Sequence, residues 1–218
     1  MKKYDPCVRC TGIQAVAATA EKLGWNGICV LLPPEKLVSF AKPKSGIDVS
    51  VGVEIDARKP SDVSKAVGRF RGSVEVIAFR SQTAEMNRII LDTAEADLLT
   101  GSWQGGINHV LAELARENNV AVCFELQPLM FSHGRQRTEL FGRMLECAKF
   151  VRKARAPFAI SSGAQSPMDI RDFGELLSFG RLLGFQDDTI KKAMSDGIIS
   201  ENRRRLGKKW IIPGVELV

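Results

Sequence analysis

The sequence predicts an α/β fold in which short, buried strands alternate with helices along most of the chain. Segments rich in valine and isoleucine recur, and their continuous apolar character is typical of strands buried on both faces. Between them, apolar residues recur at helical spacing. The clearest case is residues 105–129, where a helical stripe that includes Ile107, Leu111 and Leu114 precedes an apolar run, Val120–Leu126, closed by Pro128. One helix feeding one buried strand is the repeating unit of such a fold.

Strands and helices are predicted in alternation. The strands are Tyr4–Val8, Gly27–Leu32, Val49–Ile55, Val74–Phe79, Leu98–Leu99 with its neighbours, Val120–Leu126 and Phe158–Ser161. The helices are Gly12–Leu23, Pro60–Phe70, Ala84–Ala94, Gly105–Glu117 and Thr138–Lys153. Ser61-Asp62 and Thr83 are suitable N-caps, and Gly24 is a natural helix stop.

The strand count bears on how the sheet closes. Seven strands alternating with helices over about 160 residues favour either a parallel barrel or an open, doubly wound sheet. The first strand is not followed by Gly-x-Gly-x-x-Gly, the usual signal for a dinucleotide-binding sheet. We therefore expect a barrel of about seven mainly parallel strands. The 218 residues suit one barrel, and no linker divides them, so a single domain over residues 1–218 is expected.

Composition restricts the setting. No apolar run reaches the length of a membrane span, and the N-terminus lacks the apolar core of a signal peptide, which predicts a cytoplasmic protein. The five cysteines are therefore expected to be reduced thiols. Cys7 and Cys10 have the spacing of half a zinc or redox site, but the chain offers no second pair.

The net charge of +6 is unevenly distributed. Residues 1–129 contain 15 basic and 15 acidic side chains, whereas residues 130–218 contain 16 and 10. Residues 135–155 hold seven basic and two acidic side chains, and residues 203–210 hold five cations and a tryptophan. Such asymmetry is expected of a protein that binds a polyanion, although a solvated helix face remains the alternative for the first cluster.

Polar residues stand at the predicted strand ends, where α/β barrels carry their functional groups. Glu54 and Asp56 are expected to form ion pairs with Arg58 or Arg80. The hydroxyls of Ser161 and Ser162 are expected to form structural hydrogen bonds and not to take part in catalysis. These residues do not form the usual ligand set of a metal cluster. The chain contains only two histidines, His109 and His133.

Several short stretches together resemble a known family. They are Tyr4-Asp5, Gly-Ile-Asn-His in residues 106–109, the Glu-Asn-Asn-Val link of residues 117–120, Leu-Gln-Pro-Leu in residues 126–129, the strand end Ile160–Ala164, and Asn202–Arg205. In order and spacing they are similar to the archaeal ribonuclease P protein component 3 family, which is related to a eukaryotic ribonuclease P/MRP subunit. The resemblance covers essentially the whole chain.

This resemblance implies a distorted TIM-like (β/α) barrel, with residues 169–218 forming helices and a basic tail packed against it. It also implies a subunit of ribonuclease P, the endonuclease that removes the 5′ leader from precursor tRNA. The expected partners are the ribonuclease P RNA, other protein subunits including a small pairing subunit, and precursor tRNA. Because the catalytic centre of that enzyme lies in RNA, the isolated chain is expected to be non-catalytic and to bind no cofactor. Mg²⁺ is expected to be bound by the RNA.

The family has a distant likeness to the PHP phosphoesterase superfamily, whose first strand carries Asp-x-His-x-His. Here the matching segment keeps Asp5 but has Cys7 and Arg9 in the histidine places, and a cation such as Arg9 repels a divalent metal. Two alternatives stay open at this point. One is a free-standing metal-dependent phosphoesterase with a reduced metal site, and the other is a barrel enzyme acting on a small molecule.

Basic residues near strand ends and in the C-terminal run are the candidates for RNA contact. They are Arg9, Arg58, Arg80, Arg88, His109, Arg135, Arg137, Arg203, Arg204, Arg205, Lys208 and Lys209.

Overall fold

Seven parallel strands form one sheet whose spatial order follows the chain. The structure is a computed structural model that describes residues 2–10, 12–207, 210–212 and 215–216. The strands are β1 (Tyr4–Val8), β2 (Gly27–Leu32), β3 (Asp48–Asp56), β4 (Val76–Arg80), β5 (Leu98–Thr100), β6 (Ala121–Glu125) and β7 (Phe158–Ser161). The predicted bounds of β1, β2 and β7 are confirmed, and the other strands differ by one or two residues at an end.

Helices connect the strands and continue beyond β7. They are α1 (Ile13–Lys22), α2 (Pro34–Leu37), α3 (Pro60–Phe70), α4 (Ala84–Leu91), α5 (Ser102–Gly105), α6 (His109–Glu117), α7 (Gln127–Phe131), α8 (Gly134–Ala154), α9 (Phe173–Leu182), α10 (Asp187–Ala193) and α11 (Gly197–Leu206). A short antiparallel hairpin follows, β8 (Trp210–Ile212) and β9 (Val215–Glu216). Among the described residues, every helix is too short or too polar to cross a membrane.

Local capping explains where the helices begin. Thr83 caps α4 as predicted, because its side chain accepts the Met86 N–H at 3.2 Å. The helix expected from Gly105 begins instead at His109, since the Asn108 side chain accepts the Leu111 N–H at 3.0 Å. The predicted cap at Ser61-Asp62 is wrong. The N-cap of α3 is two residues earlier because Pro at the first helical position fixes φ there.

Alternation along the strands divides the core into two parts. In β4, Val76 and Ala78 face the barrel interior, whereas Ile77 and Phe79 pack against the surrounding helices. Small side chains such as Ala78, Ala121 and Ala159 alternate inside the barrel with larger ones such as Tyr4 and Leu98, which together fill its narrow interior.

The two ends of the sheet meet, so the fold is a nearly closed barrel and not an open sheet. The Ser161 hydroxyl at the end of β7 donates to the Cys7 carbonyl of β1 at 2.8 Å. Just beyond both strands, the Arg9 N–H donates to the Ala164 carbonyl at 2.7 Å. At the opposite end, Ile199 of α11 reaches the interior cluster and covers the amino-terminal ends of the strands. The expected TIM-like α/β fold with a helical C-terminal region is confirmed.

Candidate nucleic-acid interface

A buried ion-pair network lies at the barrel mouth, where the carboxyl ends of the strands meet. Arg9, just after β1, donates from Nε and Nη2 to the two carboxylate oxygens of Glu54, each at 2.6 Å. Its Nη1 pairs with Glu125 at the end of β6. Only 12% of the Arg9 side chain is exposed. Its position therefore favours a structural role over the RNA contact predicted from the sequence, because the guanidinium already holds two carboxylates together.

Glu54 is the centre of this network. Besides Arg9, it accepts the Thr100 hydroxyl at 2.6 Å and lies 3.6 Å from the Arg80 Nε. Burial alone would raise its pKa, but the charge and hydrogen bonds of Arg9 outweigh burial and lower the pKa of Glu54 to about 2. The prediction that the strand-end carboxylates form ion pairs is confirmed, since Asp56 also pairs with Arg58 at 2.8 Å.

Asp5 is fully buried and is held by the strand-end serines. The hydroxyls of Ser161 and Ser162 donate to its two carboxylate oxygens, and the Ser162 N–H lies 3.3 Å from each. Burial raises the pKa of Asp5, and these hydrogen bonds oppose that rise. The two serines therefore form structural hydrogen bonds, as predicted, and these bonds hold β1 and β7 together.

The mouth does not fit the metal site of a phosphoesterase. The fixed cation of Arg9 stands between Glu54 and Glu125 and pairs with both, so it occupies the place where a metal ion would have to bind these two carboxylates. Burial raises the pKa of the Cys7 thiol, so it stays protonated and donates to Glu125 Oε1 at 3.2 Å instead of serving as a thiolate ligand. All five cysteines are buried and unpaired. Within the described ranges, no three His, Cys, Asp or Glu side chains are arranged to hold a metal ion.

The long helix α8 presents cations to solvent. Its buried face includes Met144, Cys147 and Val151. Of the seven basic side chains in residues 135–155, only Arg135 has a carboxylate within 4.0 Å among the residues described, Glu139 at 2.6 Å. The others are Arg137, Arg143, Lys149, Arg152, Lys153 and Arg155, and all are exposed. We call these six the α8 cations; their charges are available to neutralise phosphates.

The C-terminal basic run behaves differently, because α11 packs across the amino-terminal end of the barrel. Arg203 donates from Nη2 to Asp48 at 3.0 Å, and its Nε pairs with Glu75. Partial burial would raise the pKa of Asp48, but the hydrogen bonds and charge of Arg203 outweigh burial and lower that pKa. Arg203 therefore holds α11 against the start of the sheet, and its guanidinium is not free for phosphate.

Of the two arginines that follow Arg203, one forms an ion pair within the protein and the other, among the residues described, is free to contact phosphate. Arg205 donates from Nη1 to Glu95 at 2.9 Å, which again ties α11 to the barrel. Arg204 is exposed and has no carboxylate partner in the described part of the chain. The predictions for Lys208 and Lys209 lie outside the described residues.

The profile of a protein family described as "RNase P subunit p30" matches residues 2–206 of the chain. The chain belongs to this family. The resemblance seen in the sequence is thereby confirmed, as is the prediction of a ribonuclease P subunit. The alternative of a free-standing phosphoesterase gains no support.

Curated relatives agree with this membership. "Ribonuclease P protein component 3" of Methanosarcina mazei is 30% identical over 230 aligned residues, covering 99% of this chain and 95% of the relative. The protein of the same name from Halorubrum lacusprofundi is 32% identical, covering 91% and 89%.

Solved structures show the same fold. A chain in a cryo-EM structure of archaeal ribonuclease P with mature tRNA superposes with a TM-score of 0.81 at 20% identity, covering 98% of this chain and 97% of that one. Histidinol phosphate phosphatase from Lactococcus lactis, complexed with zinc, L-histidinol and phosphate, superposes with a TM-score of 0.53 at 10% identity, covering 84% and 93%. At these identities the likeness concerns the fold alone.

The remaining predicted contacts of this p30-family chain lie in the segments that follow β3, β4, β5 and β6. Arg88 on α4 and His109 at the start of α6 are exposed. Arg58 is 80% exposed but engaged with Asp56. Arg137 donates from Nε to the Ser132 carbonyl at 2.7 Å, which fixes it beside the first turn of α8.

Sequence reasoning missed Glu125 in this p30-family chain. It lies near the end of the predicted strand Val120–Leu126, yet it was not among the strand-end residues considered from the sequence. The alternation of side chains along a β-strand would have identified Glu125. Side chains two apart on a strand share a face, so Glu125 shares the barrel interior with Cys123 and faces Arg9 across the mouth.

Proposed function

We propose that this chain is a non-catalytic protein subunit of ribonuclease P that binds and organises the catalytic RNA during removal of the 5′ leader from precursor tRNA. Its partners are the ribonuclease P RNA, other protein subunits including a small pairing subunit, and precursor tRNA. The chain binds no cofactor itself, and Mg²⁺ is held by the RNA. We place the complex in the cytoplasm. Membership of the family and the likeness to a chain of archaeal ribonuclease P with mature tRNA support this proposal.

The observation that carries the RNA-binding role is the set of α8 cations. Six exposed basic side chains along one helix and its C-cap, without carboxylate partners among the described residues, form an extended positive surface. Each phosphate that such a surface neutralises releases condensed counterions, which favours binding and makes it salt-dependent. A subunit of this kind lowers repulsion between RNA strands and positions them.

The observation that supports a non-catalytic role is the ion-pair network at the mouth. Glu54 and Glu125 are the carboxylates best placed for acid–base or metal chemistry, but Arg9 pairs with both and lowers the pKa of Glu54. A carboxylate with a pKa of about 2, as Glu54 has, is a poor general base near neutral pH.

Reconstitution tests the whole proposal. The chain is combined with the RNA and the other protein subunits, and cleavage of precursor tRNA is compared with and without it. We expect cleavage to depend on this chain in the mixture and the chain alone to cleave nothing. Turnover of precursor tRNA, or of a generic phosphate ester, by the chain alone would refute the non-catalytic role.

A pair of matched double variants tests the RNA surface. Lys149→Ala with Lys153→Ala removes two α8 cations, and Lys36→Ala with Lys65→Ala removes two exposed lysines from the charge-balanced half of the chain. The α8 variant is expected to weaken RNA binding and to reduce the slope of log K against log salt by up to about 1.8 units. The control variant should keep the wild-type slope. Equal effects of the two variants would mean that α8 is not the binding surface.

A further inference from the structure

A polar cavity of about 480 Å³ opens at the barrel mouth, beside the Arg9 network. Its walls come from the ends of β4 and β6, from α5 and α7, and from the first half of α8. We call it the mouth pocket. Its volume lies within the range of sites that hold small organic ligands. The role of Arg9 in holding Glu54 and Glu125 does not account for the other groups that line it.

Glutamines are concentrated in the mouth pocket. Four of the seven in the chain line it: Gln104, Gln127, Gln136 and Gln165. They come from four separate segments, so their proximity is created by the fold and not by the sequence. None of the four side-chain amides has a hydrogen-bond partner among the described residues. Each amide offers two donors and one acceptor oxygen, which match the mixed donor and acceptor edge of a nucleobase.

The charge in the mouth pocket is also uneven. Its two acidic residues are already paired, Glu125 with Arg9 and Glu139 with Arg135. Arg143 is exposed and has no carboxylate partner in the described ranges. The pocket therefore has cationic charge to offer and no unpaired acidic group of its own to repel an anion.

Arg80 adds a second cation at the floor of the pocket. Its Nε is buried and lacks a hydrogen-bond partner among the described residues, with the nearest carboxylate oxygen, on Glu54, at 3.6 Å. A buried donor without an acceptor is costly, so an anion that supplies an oxygen is favoured there.

An aromatic side chain stands in the wall of the pocket. Phe131, at the end of α7, is 60% exposed, which is unusual for a side chain of its size. Trp103 also lines the pocket but is packed into the core. An exposed aromatic ring next to free amides and cations is the combination of groups on which nucleic-acid-binding proteins stack a base.

We infer that the mouth pocket binds a single unpaired nucleotide, with its phosphate at Arg80 and Arg143 and its base against Phe131 and the glutamine amides. Stacking supplies affinity, the guanidinium groups hold the phosphate, and the amides favour some bases over others. The nucleotide is either free or part of an RNA strand. Where it belongs to RNA, the inference rests on the proposed RNA-binding role.

Fluorescence titration of the full chain tests this assignment. One probe is a short single-stranded RNA that carries 2-aminopurine, and the other is AMP in competition with it. Phe131→Ala is expected to lower affinity for the bound probe about tenfold and to abolish the quenching of 2-aminopurine. Leu182→Ala, a truncation of another exposed apolar residue outside the pocket, is the matched control and should change neither. Thermal unfolding of both variants checks that each remains folded.

A second pair of variants tests the amides. Gln104→Ala with Gln136→Ala should weaken binding and narrow the difference between RNAs that present adenine, uracil, guanine or cytosine. Gln186→Ala, an exposed glutamine outside the pocket, should not. Competition by AMP identifies a pocket that accepts free nucleotide, whereas binding of RNA alone identifies a nucleotide within a strand.

The outcomes separate this inference from the proposed function. If RNA binds with a normal salt dependence and the Phe131 and glutamine variants bind as the wild type does, the mouth pocket is not a nucleotide site and the RNA-binding role stands. If AMP competes with the RNA probe but the chain does not bind ribonuclease P RNA, the nucleotide site stands and the RNA-binding role fails. If the probe does not bind but ribonuclease P RNA does, the nucleotide site fails and the RNA-binding role stands.

Discussion

The two adjacent arginines Arg203 and Arg204 provide a sharp test of how the basic C-terminal run is used. Arg203→Ala removes the partner of Asp48 and Glu75, whose side chains are 27% and 19% exposed. Exposed pairs contribute roughly 0.2–1 kcal/mol, and breaking a buried pair costs roughly 3–5 kcal/mol. Arg203 itself is 36% exposed, so its loss should cost about 2 kcal/mol. Arg204→Ala should change stability by no more than about 0.5 kcal/mol.

Thermal unfolding followed by circular dichroism measures this difference. A loss of about 2 kcal/mol corresponds to a decrease in Tm of roughly 4–8 °C for a protein of this size. Salt-dependent RNA binding supplies the complementary measurement. Arg204→Ala should reduce the slope by about 0.9 if it contacts one phosphate, whereas Arg203→Ala should leave the slope unchanged. Equal stability of the two variants would refute the assignment of Arg203 as an intramolecular clamp.

The barrel itself offers three further tests. Glu54→Gln removes a carboxyl whose pKa is lowered from 4.5 to about 2. This group stabilises the fold above pH 4.5, by up to ~3 kcal/mol, and the contribution is lost as pH falls towards 2, so the variant should show a flatter acid limb in unfolding titrations. Ser162→Ala leaves Asp5 with one hydroxyl donor fewer and should cost about 1–3 kcal/mol in chemical denaturation. Gly101→Ala, at φ +66°, should destabilise by about 1 kcal/mol, whereas Gly68→Ala in open space on α3 should stabilise by about 0.5–1 kcal/mol; equal Tm values would contradict this.

The elements of the barrel could be predicted because their signals are local. Strands buried on both faces are mostly apolar, and this pattern gave the bounds of β1, β2 and β7, although β1 contains the buried Asp5 and β7 ends in Ser161. The four-residue helices α2 and α5 and the five-residue α7 were missed, because so short a segment shows no helical period. The predicted start of α6 was four residues too early. Gly105 and Gly106, which precede the Asn108 cap, are equally compatible with a helix start.

The site was less predictable because its groups come from distant parts of the chain. The pairing of Glu54 or Asp56 with a nearby arginine could be expected, since ions at neighbouring strand ends attract one another. The pairing of Arg9 with Glu125 joins residues 116 positions apart and depends on which way the pleat of each strand faces. The mouth pocket has the same origin, because its four glutamines show no pattern in the sequence and meet only when the barrel closes.

Counting charges located the excess of basic side chains but did not identify which of them are free to meet a polyanion. The excess of basic side chains in residues 130–218 includes both α8 and α11. Along α8, only one of the seven cations pairs with a carboxylate of the described residues, so the surface keeps its charge. In α11, Arg203 and Arg205 meet carboxylates contributed by the charge-balanced half of the chain, so part of the apparent excess is neutralised within the protein. A cation is available to RNA only when the fold leaves it without an acidic neighbour, and that depends on tertiary contacts between segments that are remote in sequence.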